Sequence, residues 1–149
     1  MKTARRRARE FAVQGIYEWE LNQDRPASLI EKHLRENEYF AKADEGLFRT
    51  LLFGVLNEAS GLSEQLSRFY ERAPEEVSPV ERAVLLMAAL ELVHHPETPY
   101  PVIINEAIEI TKTFGGTDGH KFVNGVLDKL AAEVRGDEVR AQKERKEQR

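Results

Sequence analysis

Residues 80–93 read VERAVLLMAALELV, and this stretch decides the fold. Pro79 stands where a helix needs no backbone donor, and Ser78 stands where a side-chain oxygen can cap the first turn. From Ala83 to Val93 the only charge is Glu91, so the predicted helix is apolar on every side. A helix of that kind sits at the centre of a bundle, with neighbours all round it. Glu91 then needs a partner, because a buried carboxylate is costly unless paired; a basic or amide side chain from another helix is expected.

The flanking chain supplies the neighbours, each with one apolar face. Residues 3–21 predict a first helix capped by Thr3, with Ala4, Ala8, Phe11, Ala12, Gly15, Ile16 and Trp19 on one side. Pro26 opens a second helix to about Asn37, and Asp44 opens a third in which Leu47, Phe48, Leu51, Leu52, Val55 and Leu56 recur at helical spacing. Ser60 or Gly61 is expected to break it, and Leu62, Leu66, Phe69 and Tyr70 to form the stripe of a fourth. After the central helix, a stiff His94–Pro99 connection leads to a sixth at Pro101–Thr113, whose Asn105, Glu106 and Glu109 fall off the apolar face. Gly115 is expected to end it as a left-handed cap. A seventh helix starts near Asp118, which is expected to cap it, and Gly136 is expected to stop it. There are no convincing strands. The predicted fold is all-α: one compact domain of about seven helices over residues 1–134, in two packed subdomains at about 1–73 and 77–134. The charged tail, 135–149, lacks an apolar face of any size and is expected to be mobile.

Charge is unevenly spread. The net charge is −4, but residues 1–10 carry +4, residues 11–134 carry −10 and residues 135–149 carry +2. An acidic body repels polyanions, so nucleic-acid contact is expected to be local, at Lys2, Arg5, Arg6, Arg7 and Arg9. The same arginines could equally serve solubility and pair with the acidic body. Tyr17 sits a quarter-turn off the first helix's main face; it reads either as the rim of the core or as an aromatic exposed for base stacking. Glu81, in the first turn of the central helix, reads either as a dipole stabiliser or as an acceptor for a partner's cation.

Enzyme chemistry finds little support. There is no cysteine, which excludes disulfides and thiol catalysis and fits a reducing, cytoplasmic setting. None of His33, His94, His95 and His120 forms an HExxH, and no serine occupies a nucleophile elbow. The glycine-rich stretch 115–119 lacks phosphate-loop spacing and no strand precedes it. No cofactor or metal is expected, and no apolar run is long enough to span a membrane.

Several stretches together resemble the bacterial NusB family of transcription antitermination factors: RRRARE (5–10), AVQ (12–14) and IYEW (16–19), VERAVL (80–85) and ALEL (89–92), PYPVIINEAIEITKTFG (99–115), and HKFVNGVLDKLA (120–131). They cover most of residues 4–131 in family order. The resemblance implies a non-catalytic adaptor that binds boxA-containing single-stranded RNA of ribosomal operons together with NusE, a small-subunit ribosomal protein. It also implies assembly with other Nus factors and RNA polymerase. It carries an RNA surface over to Lys2, Arg5, Arg6, Arg7, Arg9, Tyr17, Lys121 and Phe122, and a protein-partner surface to Glu81, Arg82 and Asp118. Some family members form homodimers. Leu86 and Leu90 depart from the basic and aromatic residues usual near those positions. The competing expectation is a protein-only helical scaffold or dimer without sequence-specific RNA binding.

Overall fold

In the computed structural model, which describes residues 1–115 and 118–148, the chain forms seven α-helices and, among those residues, no strand. They are α1 (Ala4–Leu21), α2 (Ala27–Arg35), α3 (Glu45–Ser67), α4 (Pro79–His94), α5 (Tyr100–Phe114), α6 (Gly119–Val134) and α7 (Gly136–Glu147), with short 3-10 turns at Phe40–Lys42 and Pro74–Glu76. The caps follow the sequence. Thr3 Oγ1 accepts from the Arg6 N–H at 3.0 Å, and Asp44 Oδ1 accepts from the Leu47 N–H at 3.0 Å. At the start of α4, Ser78 and Glu81 form a reciprocal capping box, each backbone N–H donating to the other's side chain.

As its all-round apolar sequence requires, α4 is the central rod. Every residue from Ala83 to Leu92 is buried. It packs against α1, α3, α5 and α6, and one continuous core cluster runs from Ala8 of α1 to Val139 of α7. Close approach is needed where Gly15 of α1 faces α2 and α3: a Cβ there would lie 2.8 Å from Leu52 and 3.1 Å from Leu34.

Three expectations change. The expected break at Ser60 or Gly61 is absent: α3 runs 23 residues without interruption. Val55, Ala59, Leu62 and Leu66 continue one buried stripe across the glycine. A helical glycine costs only about 1 kcal/mol, less than one buried leucine contributes. Gly115 does cap α5, but its φ is −102°, not left-handed. Its N–H donates to the Thr111 carbonyl at 2.7 Å, and a Cβ would sit 2.8 Å from that same oxygen. Crowding, not handedness, explains the glycine. The next two residues of that turn, Gly116 and Thr117, lie outside the described residues.

The charged tail, with no helix expected to follow Gly136, is helical over Gly136–Glu147. It is anchored by Val139 in the core and by Arg135, whose buried guanidinium donates to the carbonyls of Glu91, Leu92, His95 and Thr98. The Leu92 and Thr98 carbonyls have no backbone donor at this end of α4, while those of Glu91 and His95 also accept from the His95 and Thr98 N–H groups. Arg135 also pairs with Glu138 at 3.0 Å, and Glu138 accepts from the Tyr100 N–H at the start of α5.

Candidate nucleic-acid interface

The first turns of α1 separate the arginines by helical rotation. Arg9 is only 2% exposed. Its Nε and Nη2 donate to the two oxygens of Glu91 at 3.0 and 2.9 Å, and its Nη1 lies 3.6 Å from Glu106. Glu91 thus has the basic partner its place in an apolar run demanded. Burial alone would lower the pKa of the Arg9 guanidinium, but hydrogen bonds and charge from Glu91, with Glu106, outweigh it and raise the pKa. Arg9 therefore departs from the expected RNA contacts: buried and doubly bonded, it pins α1 to α4.

The remaining cations stay near the surface. Lys2 and Arg5 are exposed, while Arg6 and Arg7 are partly buried. Lys2 pairs with Glu10 at 2.9 Å and Arg5 lies 3.8 Å from Asp44. Arg6 hydrogen-bonds Glu106 of α5, so Glu106 is engaged by two arginines and is not the free surface acid its position off the apolar face suggested. Arg7 lies over the ring of Tyr39.

Tyr17 is 37% exposed and Phe114 is 38% exposed. Both line a largely apolar cleft of about 380 Å³ with Val13, His33, Leu34 and Val80. Tyr17 is thus neither pure core nor fully presented: it forms one wall of the cleft. Phe114 is a residue the sequence did not single out. Its signal was present in an aromatic at the last position of a helix, just before a glycine turn.

Around the start of α4 lies a second group. Phe122 is partly buried, 5.6 Å from Tyr70 between ring centroids, with the Arg72 guanidinium 3.8 Å above its ring. Arg72 also reaches Glu81 at 3.4 Å. Burial raises the pKa of the Tyr70 hydroxyl, against the lowering effect of Arg82. Glu81, 7% exposed, is occupied by its capping box and Arg72, so a partner would reach it only at its edge. Arg82 donates to the Pro74 carbonyl at 2.7 Å and lies 3.9 Å from Glu20. Asp118 occupies the N-cap position of α6, but its side chain makes no cap hydrogen bond. Instead it lies 3.7 Å from Lys121, both groups well exposed.

The arginine end and the Phe122 group are not side by side. Arg9 meets α4 at Glu91 and the Phe122 group meets it at Glu81, about 15 Å apart at 1.5 Å per residue. Val80 places the Tyr17 cleft beside the Phe122 end. The possible contacts are therefore strung along the helix axis. Among the described residues no cluster of three or more His, Asp or Glu side chains suits a metal ion, and no helix is long and apolar enough to cross a membrane.

Comparison with known proteins gives consistent matches. The NusB family model matches residues 6–132. The chain is 84% identical over 148 residues to the transcription antitermination protein NusB of Chromobacterium violaceum, covering 99% of both chains. It is 70% identical over 141 residues to the NusB of Laribacter hongkongensis, covering 95% of this chain and 85% of that one. A solved structure of T. maritima NusB superposes with a TM-score of 0.75 at 34% identity, over 89% of this chain and 94% of that one.

Proposed function

Because the chain belongs to the NusB family, we propose that it is a transcription antitermination adaptor that binds boxA RNA together with NusE and joins other Nus factors on the elongating RNA polymerase. NusB-family proteins are adaptors, not enzymes, and the work assigned to this chain is to hold two partners in register. The observation that carries the reading is the division of labour in α1. Arg9 is consumed in the core, which fixes the helix, while Lys2, just before it, and Arg5 are exposed and Arg6 and Arg7 are only partly buried. Guanidinium groups on a rigid helix set the register of phosphates. Unpaired bases can then reach the Tyr17 cleft and, farther along, Phe122 and Lys121. The exposed Asp118 and the edge of Arg82 suit a basic ribosomal protein and its acidic side chains. Glu81 supports that surface from beneath, by capping α4 and holding Arg72 over Phe122.

One observation favours the protein-only scaffold: Lys2, Arg5 and Arg6 each already face a carboxylate. An RNA titration with and without NusE separates the two. The adaptor binds boxA more tightly than a scrambled RNA, more tightly still with NusE, and loses both affinity and salt slope on replacement of Arg6 and Arg7 by alanine. Equal binding of boxA and scrambled RNA, unaffected by those replacements, would establish the scaffold instead.

A further inference from the structure

The connector between α2 and α3 carries an aromatic that neither the family motifs nor the cleft uses. Phe40 is anchored in the core, 5.2 Å from Phe11 and 5.0 Å from Phe48 between ring centroids. The adjacent Tyr39 is left 48% exposed. Its backbone is held tightly: the Tyr39 N–H donates to Asn37 Oδ1 at 2.8 Å, and its carbonyl accepts from the Lys42 N–H at 3.0 Å. The connector is docked on the start of α1, where the Asp44 N–H donates to the Ala4 carbonyl at 3.0 Å. The Tyr39 ring has two cations beside it, Arg7 Cζ at 5.7 Å and Lys42 Nζ at 5.5 Å from its centroid.

A half-exposed ring on a tightly bonded turn, with two cations over it, offers an unpaired base a π-face once a cation gives way to it, and keeps positive charge within reach of the nucleotide's phosphate. Of the acids nearby, Asp44 faces Arg5, and the repulsion of a phosphate by the exposed Glu36 and Glu38 is weakened by solvent and salt. We propose that Tyr39 is a stacking platform for one base of single-stranded RNA, next to the nucleotides whose phosphates Arg5, Arg6 and Arg7 hold. The proposal rests on the reading of that edge as an RNA surface. It extends the surface off α1 onto the α2–α3 connector. Because every base has a π-face, the contact is tolerant of sequence.

The test is a titration of the full chain and of Tyr39→Ala with boxA RNA, a scrambled RNA of equal length, and boxA RNAs carrying a single abasic nucleotide at each position in turn, at several salt concentrations. Tyr39→Ala is expected to weaken boxA and scrambled RNA alike by about tenfold, leaving the salt slope unchanged because no phosphate contact is lost. One abasic position costly to the wild type becomes neutral in the variant, and Tyr39→Phe binds as the wild type does. Tyr39→Leu carries the same comparison if the alanine variant melts early. Unchanged affinity overturns the platform. So does a reduced salt slope with every abasic position costing both proteins equally, since Tyr39 would then merely orient Arg7. Loss of boxA preference with the abasic coupling intact instead defeats the sequence-specific reading and leaves the platform standing.

Discussion

Arg9 and Glu91 form the most consequential pair of side chains. Arg9→Met leaves Glu91 buried without its bidentate donor, and loss of one partner of such a pair costs about 3–5 kcal/mol. Urea unfolding should register that loss, and Arg9→Met combined with Glu91→Leu should recover most of it. Arg9 was hidden in the sequence because five cations in ten residues read as one surface patch, and only rotation about the helix tells them apart. Glu91 was the legible half: a lone acid in an apolar run had to be paired. Glu106 makes a different prediction. It hydrogen-bonds Arg6 and lies near Arg9, so it competes with an incoming phosphate. Glu106→Gln should strengthen RNA binding several-fold at low salt, with the gain shrinking as salt screens it. Glu31 is an acid-sensitive residue. Burial alone would raise its pKa, but hydrogen bonds from Arg35 and Arg49 and their charges prevail and hold it below the usual carboxylate range. A depressed folded-state value means stability that is present above the unfolded pKa and lost as pH falls through the folded one. Wild type should therefore lose more stability than Glu31→Gln as pH drops below the ordinary glutamate range, measured by thermal melts across pH.

Among the elements, α3 and α4 mark the limits of a periodicity argument. The stretch from Ala83 to Leu92 is buried on all sides, which its uninterrupted apolar run foretold, and the surrounding helices followed because each had one stripe to bury. The false break in α3 arose because a glycine was read as punctuation, although Leu62 and Leu66 kept the register of the preceding turns. Two of the three glycines of α3, Gly54 and Gly61, then behave oppositely. At Gly61 a Cβ would meet nothing within 4 Å, so Gly61→Ala should stabilise the protein by about 0.5–1 kcal/mol through helix propensity. At Gly54 a Cβ would lie 2.8 Å from Leu90 Cδ2, so the same replacement should lose that gain to repacking against α4. A pair of thermal melts separates the two. The candidate site was legible as a charged segment plus scattered aromatics. Their spacing was not, because Phe114, Tyr70 and Arg72 join it only through tertiary contacts, the last two from the α3–α4 connector.

At the scale of the whole molecule, α1 and Arg135, at the junction of α6 and α7, hold the central helix from opposite ends of the sequence. The tail's role escaped the sequence because its hold depends on one arginine and one valine, too few to produce a stripe. Arg135→Ala strands the Leu92 and Thr98 carbonyls and takes a second donor from those of Glu91 and His95, and should lower stability by about 2 kcal/mol or more, read as a drop in melting temperature. Arg135 lies more than forty residues beyond Glu91, whose carbonyl it takes. On the ribosome, then, the rod at the centre emerges long before the guanidinium that seals its end. Until residue 135 has cleared the exit tunnel, the Leu92 and Thr98 carbonyls of the nascent bundle lack the donor that satisfies them in the finished one. Its final closure is a late event in synthesis, and early release of the chain would give a bundle that frays at this end first.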